Sequence, residues 1–192
     1  MGMRRIVPWM MAAARAGMGP AMIAGAACGW NGTVLAGIVV GALLSDIFDG
    51  VLARHWQCDT AALRLFDSMA DTAFYLCTGI ALWSAHSQVL RDDKGPLLVL
   101  LGLEVFKFAF DFAKFGRPSS YHSYLAKGWG LVLASAVIGE FAMGHSALMM
   151  PALWLGVAVN LEGLVVSTVL PVWRQDVPTI AAALRLRVKM LA

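Results

Sequence analysis

The sequence predicts an all-helical integral membrane protein with six transmembrane helices and short cytoplasmic amphipathic segments at both ends. Three observations predict this class. The chain has 192 residues, of which 59% are hydrophobic and only 14% are charged, whereas a soluble domain carries about 25% charged residues. Its mean hydropathy is +0.71. The apolar residues fall into six runs, each with about the 20 residues that a bilayer requires. We expect one domain over residues 1–192.

The elements follow in order along the chain. Residues 1–7 carry Arg4 and Arg5 and are typical of a short basic interfacial segment. The predicted spans are residues 10–30, 33–54, 66–86, 95–113, 125–145 and 147–171. Breaks that contain Gly, Pro or charged residues separate them at 29–32, 55–65, 86–95, 115–124 and 144–146. The tail from Trp173 carries several basic residues and is typical of an amphipathic helix on a membrane surface.

The distribution of Lys and Arg predicts the orientation. Six spans place both termini on one side, and most basic residues outside the spans lie on that side. They are Arg4, Arg5, Arg54, Arg64, Lys114, Arg117, Arg174, Arg185, Arg187 and Lys189. The opposite side has Arg91 and Lys94, which stand next to two aspartates. By the positive-inside rule the termini face the cytoplasm. We expect a bacterial inner (plasma) membrane protein whose termini and active site face the cytoplasm.

The overall charge and the cysteines exclude some classes. The net charge is only +3, so the balance itself indicates no partner, and we expect no nucleic acid to bind. Cys28, Cys58 and Cys77 have neither CxxC nor other metal-site spacing. An odd, unpatterned set of cysteines argues against a disulfide framework.

Four carboxylates stand out in this apolar chain: Asp46, Asp49, Asp67 and Asp71. Charges near a bilayer are costly and are functional candidates by default. On a helix Asp46, Asp49 and the small residues that follow them lie within roughly a 100° arc. Asp67 and Asp71 are one turn apart on a second helix. If the two helices face each other, four carboxylates converge on one point, which suits hard cations such as Mg²⁺ or Mn²⁺.

The segment has the pattern D-x2-D-G-x2-A-R-x12-D-x3-D. It resembles the signature of the CDP-alcohol phosphatidyltransferase family, which is D-x2-D-G-x2-A-R-x8-G-x3-D-x3-D. Seven of the eight signature residues are present at the family spacing, and Leu63 replaces the second glycine. Pro8, Arg15 and Pro20 match the family's usual Pro, Arg and Pro around the first span, and Thr60 lies where Ser or Thr is usual. The likeness covers nearly the whole chain.

The resemblance implies an activity. Enzymes of this family cleave the pyrophosphate of a CDP-linked donor, transfer the substituted phosphoryl group to a hydroxyl and release CMP. We therefore expect a transferase of phospholipid biosynthesis that uses a CDP-linked lipid, CDP-diacylglycerol, and a small alcohol acceptor. Two divalent cations, Mg²⁺ or Mn²⁺, are the implied cofactors. Membrane lipids are the expected surroundings, and a homodimer is expected by resemblance only.

The resemblance also implies site residues. The metal ligands are expected to be Asp46, Asp49, Asp67 and Asp71. Asp71 is also the expected catalytic residue, as general base for the acceptor hydroxyl. Contacts with the nucleotide or donor are expected from Gly50, Ala53, Arg54 and Thr60. Gly50 lacks a Cβ, which lets the nucleotide approach the helix closely.

A second basic segment lies between the fourth and fifth predicted spans. Its candidates for binding the acceptor or a lipid phosphate are Lys114, Arg117, His122 and Lys127. The same residues, with neighbouring tyrosines, are equally typical of a positive-inside anchor at the interface. On the fourth span, Glu104, Lys107 and Asp111 share one face, for which a structural ion pair is favoured over a substrate contact. Roles for Glu140 and Glu162 stay open.

Three alternatives remain at this point. The donor could be a CDP-linked polar alcohol and the acceptor diacylglycerol. A non-enzymatic cation-binding or transport protein would use the carboxylates as a midplane ion site, with discontinuous helices in paired repeats. An inactive relative would explain Leu63, together with Trp9 and Ala12 where the family often has Asn and Thr.

Overall fold

A computed structural model of the protein describes residues 3–58, 60–119 and 121–191. These residues form eight α-helices and contain no β-strand, so the predicted all-helical class is confirmed. The helices are α1 (Met3–Ala27), α2 (Gly32–His55), α3 (Ala61–Ala85), α4 (Ser87–Asp92), α5 (Lys94–Phe115), α6 (Tyr124–Met143), α7 (Met149–Val169) and α8 (Ile180–Leu191).

Within the described residues, α2, α6 and α7 are long and apolar enough to cross a membrane. They correspond to the second, fifth and sixth predicted spans. The helices α1, α3 and α5 have 25, 25 and 22 residues, which is also sufficient length. Their charged residues, such as Asp67 and Asp71 on α3, lower their mean hydropathy. Six spans therefore remain a proposal.

Local chemistry sets the helix boundaries near the predicted breaks. The side chain of Asn31 accepts a hydrogen bond from the Thr33 N–H at 2.9 Å and caps α2. Thr60 does the same for α3, with its hydroxyl oxygen 3.2 Å from the Leu63 nitrogen. Gly116 ends α5 in a left-handed conformation with φ 70°, which glycine adopts without strain.

Two terminal predictions need correction. The predicted basic segment at residues 1–7 is not separate, because α1 runs without interruption from Met3; residues 1 and 2 lie outside the described part. The predicted tail helix begins at Ile180 and not at Trp173. Pro171 and Pro178 lie in the intervening non-helical stretch, where the proline ring disfavours helix.

The chain divides into two compact units. Unit 1 comprises Met1–Leu90 and Val137–Ser146. Here α1 packs against both α2 and α3. A Cβ at Gly19 would lie 3.1 Å from the Cys77 sulfur, so the glycine permits the close approach of α1 and α3. Buried apolar residues line these contacts, among them Ala12, Met22, Leu35, Val39, Phe74 and Ala81.

Unit 2 comprises Arg91–Ala136 and Ala147–Ala192. Here α5 and α8 both pack against α7. The Trp129 indole N–H donates to the Ala152 carbonyl at 2.9 Å, and a Cβ at Gly156 would come within 2.9 Å of that indole. Gly156 therefore makes room for Trp129. One core cluster of this unit is formed by Tyr121, Val166, Leu170, Val177 and Ala183.

Candidate active site

The four aspartates of the sequence pattern lie on two helices of unit 1. Asp46 and Asp49 belong to α2, and Asp67 and Asp71 belong to α3. The cap at Thr60 fixes the start of α3, and the four-residue spacing of Asp67 and Asp71 places both on one face. One oxygen each from Asp46, Asp49 and Asp67 lie within 4.8 Å of one another. The structure therefore brings the predicted carboxylates together.

The carboxylate cluster, Asp46, Asp49, Asp67 and Asp71, is open on one side. The Asp49 side chain is 5% exposed and forms its floor, whereas Asp46 is 44% exposed. Asp67 and Asp71 lie between these limits at 31% and 33%. Three of the four carboxylates therefore reach the surface of unit 1.

Arg15, which lies on α1, contacts this cluster from a helix that carries none of the four aspartates. Its Nη1 lies 2.7 Å from Asp46 Oδ1, and its Nη2 lies 2.8 Å from Asp49 Oδ2. Nη2 also bonds Asp67 Oδ1, and Nε lies 3.0 Å from Asp71 Oδ1. One buried guanidinium thus pairs with all four carboxylates. The sequence pattern indicated Arg15 only as a family match and not as a member of the site.

The charges of the cluster do not balance. Ionised, the four carboxylates outnumber the Arg15 guanidinium and leave a large negative excess. Carboxylate oxygens are the ligands that Mg²⁺ and Mn²⁺ prefer in proteins. The residues therefore fit a divalent cation, both in donor type and in the convergence of Asp46, Asp49 and Asp67.

The predicted nucleotide residues surround the C-terminal end of α2. Arg54 is exposed, and its guanidinium folds back over Gly50, where Nη1 would lie 3.5 Å from an added Cβ. Thr60 is exposed, and its oxygen already accepts the Leu63 N–H, which leaves its hydroxyl proton able to donate. Ala53, in contrast, is only 5% exposed.

Leu63, the departure from the family pattern, points into a small core. It is 5% exposed and packs in one cluster with Ala53 and Cys58, with Trp56 against them. Its side chain thus fills space between the end of α2 and the start of α3. In this structure Leu63 is a packing residue.

The four predicted acceptor candidates lie in unit 2, between the end of α5 and the start of α6. Lys114 donates to the carbonyl oxygens of Ser167 (2.8 Å) and Thr168 (3.1 Å) at the end of α7. The Arg117 guanidinium lies 4.9 Å from the centre of the Trp173 ring. Lys127 lies 5.8 Å from the ring centre of Tyr124. His122 is exposed and adopts φ 49°.

Unit 2 also contains a buried polar network that the sequence did not indicate. Asp111 of α5 is fully buried and accepts a hydrogen bond from Ser167 of α7. The Ser167 and Tyr121 hydroxyl oxygens are 2.7 Å apart. Burial raises the pKa of Tyr121, which lies in the loop before α6. In place of an ion pair with Asp111, Lys107 donates to Ser119 at 3.3 Å.

The two glutamates left open by the sequence have distinct surroundings. Glu162 accepts a hydrogen bond of 2.7 Å from Ser123 in unit 2. Glu140 in unit 1 is fully buried, and its Oε1 lies 3.5 Å from His86 Nδ1. Glu104 is exposed on α5. These contacts support structural roles for Glu140 and Glu162.

The described part of the chain thus combines apolar helices with a carboxylate cluster that fits divalent cations. The profile of the CDP-alcohol phosphatidyltransferase family matches residues 5–173, and the chain belongs to that family. No curated protein and no solved structure matches the chain significantly.

Membership establishes the general activity. The family transfers a phosphatidyl group from a CDP-alcohol to an alcohol acceptor and depends in general on divalent metal ions. The chain is therefore a transferase of phospholipid biosynthesis. Together with its three apolar helices, the family indicates an integral membrane protein.

Proposed function

We propose that this enzyme transfers the phosphatidyl group of CDP-diacylglycerol to a small alcohol and releases CMP. The observation that supports it most strongly is the convergence of Asp46, Asp49 and Asp67, with Asp71 one turn further along α3. The seven signature residues at the family spacing are the second support.

In this proposal the carboxylate cluster holds two divalent cations, Mg²⁺ or Mn²⁺, through Asp46, Asp49, Asp67 and Asp71. When bound, such ions neutralise a pyrophosphate and stabilise the charge on a leaving phosphate. The buried Asp49 gives the cluster a fixed floor. The exposed Asp46 leaves an open side through which the donor pyrophosphate enters.

Asp71 is proposed as the general base. It lies outside the group formed by Asp46, Asp49 and Asp67, whose oxygens are mutually within 4.8 Å. Its side chain is 33% exposed, so it can reach the hydroxyl of an acceptor. A general base must lie within hydrogen-bond reach of the proton that it takes. Its position at the edge of the cluster therefore suits proton transfer as well as metal binding.

The end of α2 is proposed as the nucleotide seat. Arg54 is exposed and can bind a donor phosphate, and Gly50 beneath it lets the nucleotide approach the backbone. Thr60 can donate its hydroxyl to the nucleotide. Ala53 supports this seat from the buried side, because it packs against Leu63 and not against solvent.

The acceptor or a lipid phosphate is proposed to bind at the basic segment of unit 2, through Lys114, Arg117, His122 and Lys127. Among these, His122 and Lys127 are exposed, and the exposed Arg117 already stacks on Trp173. Lys114 is bound to the last carbonyls of α7, which makes its contribution mainly electrostatic.

The membrane arrangement is part of the proposal. The helices α1, α2, α3, α5, α6 and α7 each have 20 residues or more and rise about 1.5 Å per residue, which suits a hydrocarbon core of ~30 Å. We infer six spans with cytoplasmic termini in a bacterial plasma membrane. The family match runs through both units, which supports one domain over residues 1–192. A homodimer is also proposed.

The test is CMP release by the purified protein. It is supplied with CDP-diacylglycerol and Mn²⁺ and screened against serine, glycerol phosphate and inositol phosphate. We expect CMP with one of these acceptors and none from the Asp71→Asn variant. CMP released only from a CDP-linked polar alcohol with diacylglycerol would favour the alternative donor. Mn²⁺ binding without CMP from any donor would favour a cation-binding protein or an inactive relative.

A further inference from the structure

Arg15 is placed unusually for a residue in an apolar helix. Its side chain is 2% exposed, and its three guanidinium nitrogens all contact carboxylates. The contacts reach both partner helices, Asp46 and Asp49 on α2 and Asp67 and Asp71 on α3. An arginine with this many acidic partners holds the two helices together at one point, because each carboxylate alone would repel the others.

The same carboxylates are the proposed metal ligands. Arg15 contacts one oxygen of each member of the group Asp46, Asp49 and Asp67. A divalent cation binds carboxylate oxygens at about 2.0–2.6 Å, which is closer than the guanidinium lies to Asp46 and Asp49. The Arg15 guanidinium and a divalent cation would therefore compete for the same carboxylate oxygens, and their positive charges would repel each other.

We propose that Arg15 is a resident counter-cation that exchanges with the divalent cation at the carboxylate cluster. The inference rests on the proposed metal site and goes beyond it. The guanidinium pairs with all four carboxylates and holds them together, and it moves off the cluster as the divalent cation enters. Because this movement breaks ion pairs, Arg15 weakens the affinity of the site for divalent cations.

The length and flexibility of an arginine side chain make this exchange feasible without refolding. Arg15 reaches the cluster from α1, whereas the ligands belong to α2 and α3. A rotation about its side-chain bonds therefore removes the charge without moving a ligand helix. Guanidinium groups bind phosphate in bidentate fashion, so a donor pyrophosphate near the cluster would offer Arg15 a new partner.

The experiment measures Mn²⁺ binding to the full-length purified protein by electron paramagnetic resonance of free Mn²⁺, without donor or acceptor. Arg15→Gln removes the charge and keeps a polar side chain. We expect its Mn²⁺ dissociation constant to fall at least tenfold, with the same number of ions bound. The matched control is Arg5→Gln, which removes the same charge from an exposed position of α1 and should change the constant less than twofold.

Arg15→Gln could lose stability, because it leaves four clustered carboxylates without their cation. A second measurement covers this case. Thermal unfolding is followed for the wild type, Arg15→Gln and Arg15→Lys at increasing Mn²⁺. We expect Mn²⁺ to raise the unfolding temperature of Arg15→Gln more than that of the wild type, and Arg15→Lys to respond like the wild type.

Two results would overturn the inference, and they differ in what else they affect. Wild-type binding of Mn²⁺ with equal or weaker binding by Arg15→Gln, and no larger thermal response, overturns the exchange and leaves the proposed function intact. Absence of Mn²⁺ binding in both proteins overturns the proposed metal site and the exchange with it.

Discussion

The two units each bury an aspartate near the end of a helix, but the surroundings of these residues differ. Asp49 in unit 1 shares its site with three further carboxylates and one guanidinium, and the neighbouring Asp46 is 44% exposed. Asp111 in unit 2 is fully buried and accepts a hydrogen bond from Ser167, which in turn meets Tyr121. The first group combines four carboxylates with one guanidinium and is partly exposed, whereas the second is a single buried carboxylate with two hydroxyl groups beside it.

This difference separates a ligand site from a structural one. Buried polar groups in native proteins are normally hydrogen-bonded. Asp111 Oδ1 accepts a hydrogen bond from the Ser167 hydroxyl, whereas the buried Oδ2 has no hydrogen-bond partner among the described residues. A cluster of carboxylates that one arginine cannot neutralise is instead costly near a membrane unless cations bind to it. The comparison therefore predicts that changes in the carboxylate cluster act on metal binding and catalysis, whereas changes around Asp111 act on stability.

The largest effect is expected for Asp67→Ala. It removes one of the three convergent carboxylates, so Mn²⁺ binding should be lost and CMP release should fall to the background level. Both are measured on the purified protein. Glu104→Gln, which removes an exposed carboxylate of α5, is the control and should keep both properties. Unchanged Mn²⁺ affinity in Asp67→Ala would contradict a shared metal site.

Asp71→Asn should separate Mn²⁺ binding by the carboxylate cluster from the release of CMP. The amide keeps the shape of the side chain but cannot accept a proton, so CMP release should fall by about 10²–10⁴-fold. Mn²⁺ binding should remain largely intact, because Asp46, Asp49 and Asp67 are unchanged. Full turnover by this variant would exclude Asp71 as the general base.

Leu63→Gly tests packing next to the site. The change empties a buried position beside Ala53 and Cys58, which costs about 2–5 kcal/mol, and adds about 1 kcal/mol for glycine in a helix. Chemical or thermal unfolding in detergent measures it. Leu65→Gly is the matched control, since Leu65 is 64% exposed on the same helix. This variant should lose only the unfolding free energy that comes from glycine in a helix. Equal stability losses would mean that Leu63 is not a packing residue.

The smallest effect is expected for Asp111→Asn. It alters a buried hydrogen bond to Ser167 and should cost about 1–3 kcal/mol of unfolding free energy. Mn²⁺ binding should not change. Ser167→Ala and the double variant complete a cycle, in which the two losses should not add because the residues are in contact. A change in Mn²⁺ affinity would contradict the view that the Asp111 group is structural and only the carboxylate cluster binds the metal.

Much of unit 1 could be predicted from the sequence because its information is local. Asp46 with Asp49, and Asp67 with Asp71, lie within single helical turns, so their spacing shows which side chains share a face. The starts of α2 and α3 near Asn31 and Thr60 follow from capping chemistry within a few residues.

What could not be predicted depends on contacts between residues distant in sequence. Arg15 lies 31 to 52 positions from three of its carboxylate partners, and Asp111 lies 56 from Ser167. No helical period links such pairs. Leu63 was visible as a departure from the family pattern, but only the structure shows that it points into a core.

The central claim is that the carboxylate cluster holds the cations used to release CMP. The most direct measurement titrates Mn²⁺ into chelator-treated protein and records bound Mn²⁺ and CMP release from CDP-diacylglycerol on the same sample. We predict no CMP before Mn²⁺ is added, and afterwards an activity that rises with occupancy of the cluster. CMP release that is independent of Mn²⁺, or that is unchanged in Asp67→Ala, would contradict it.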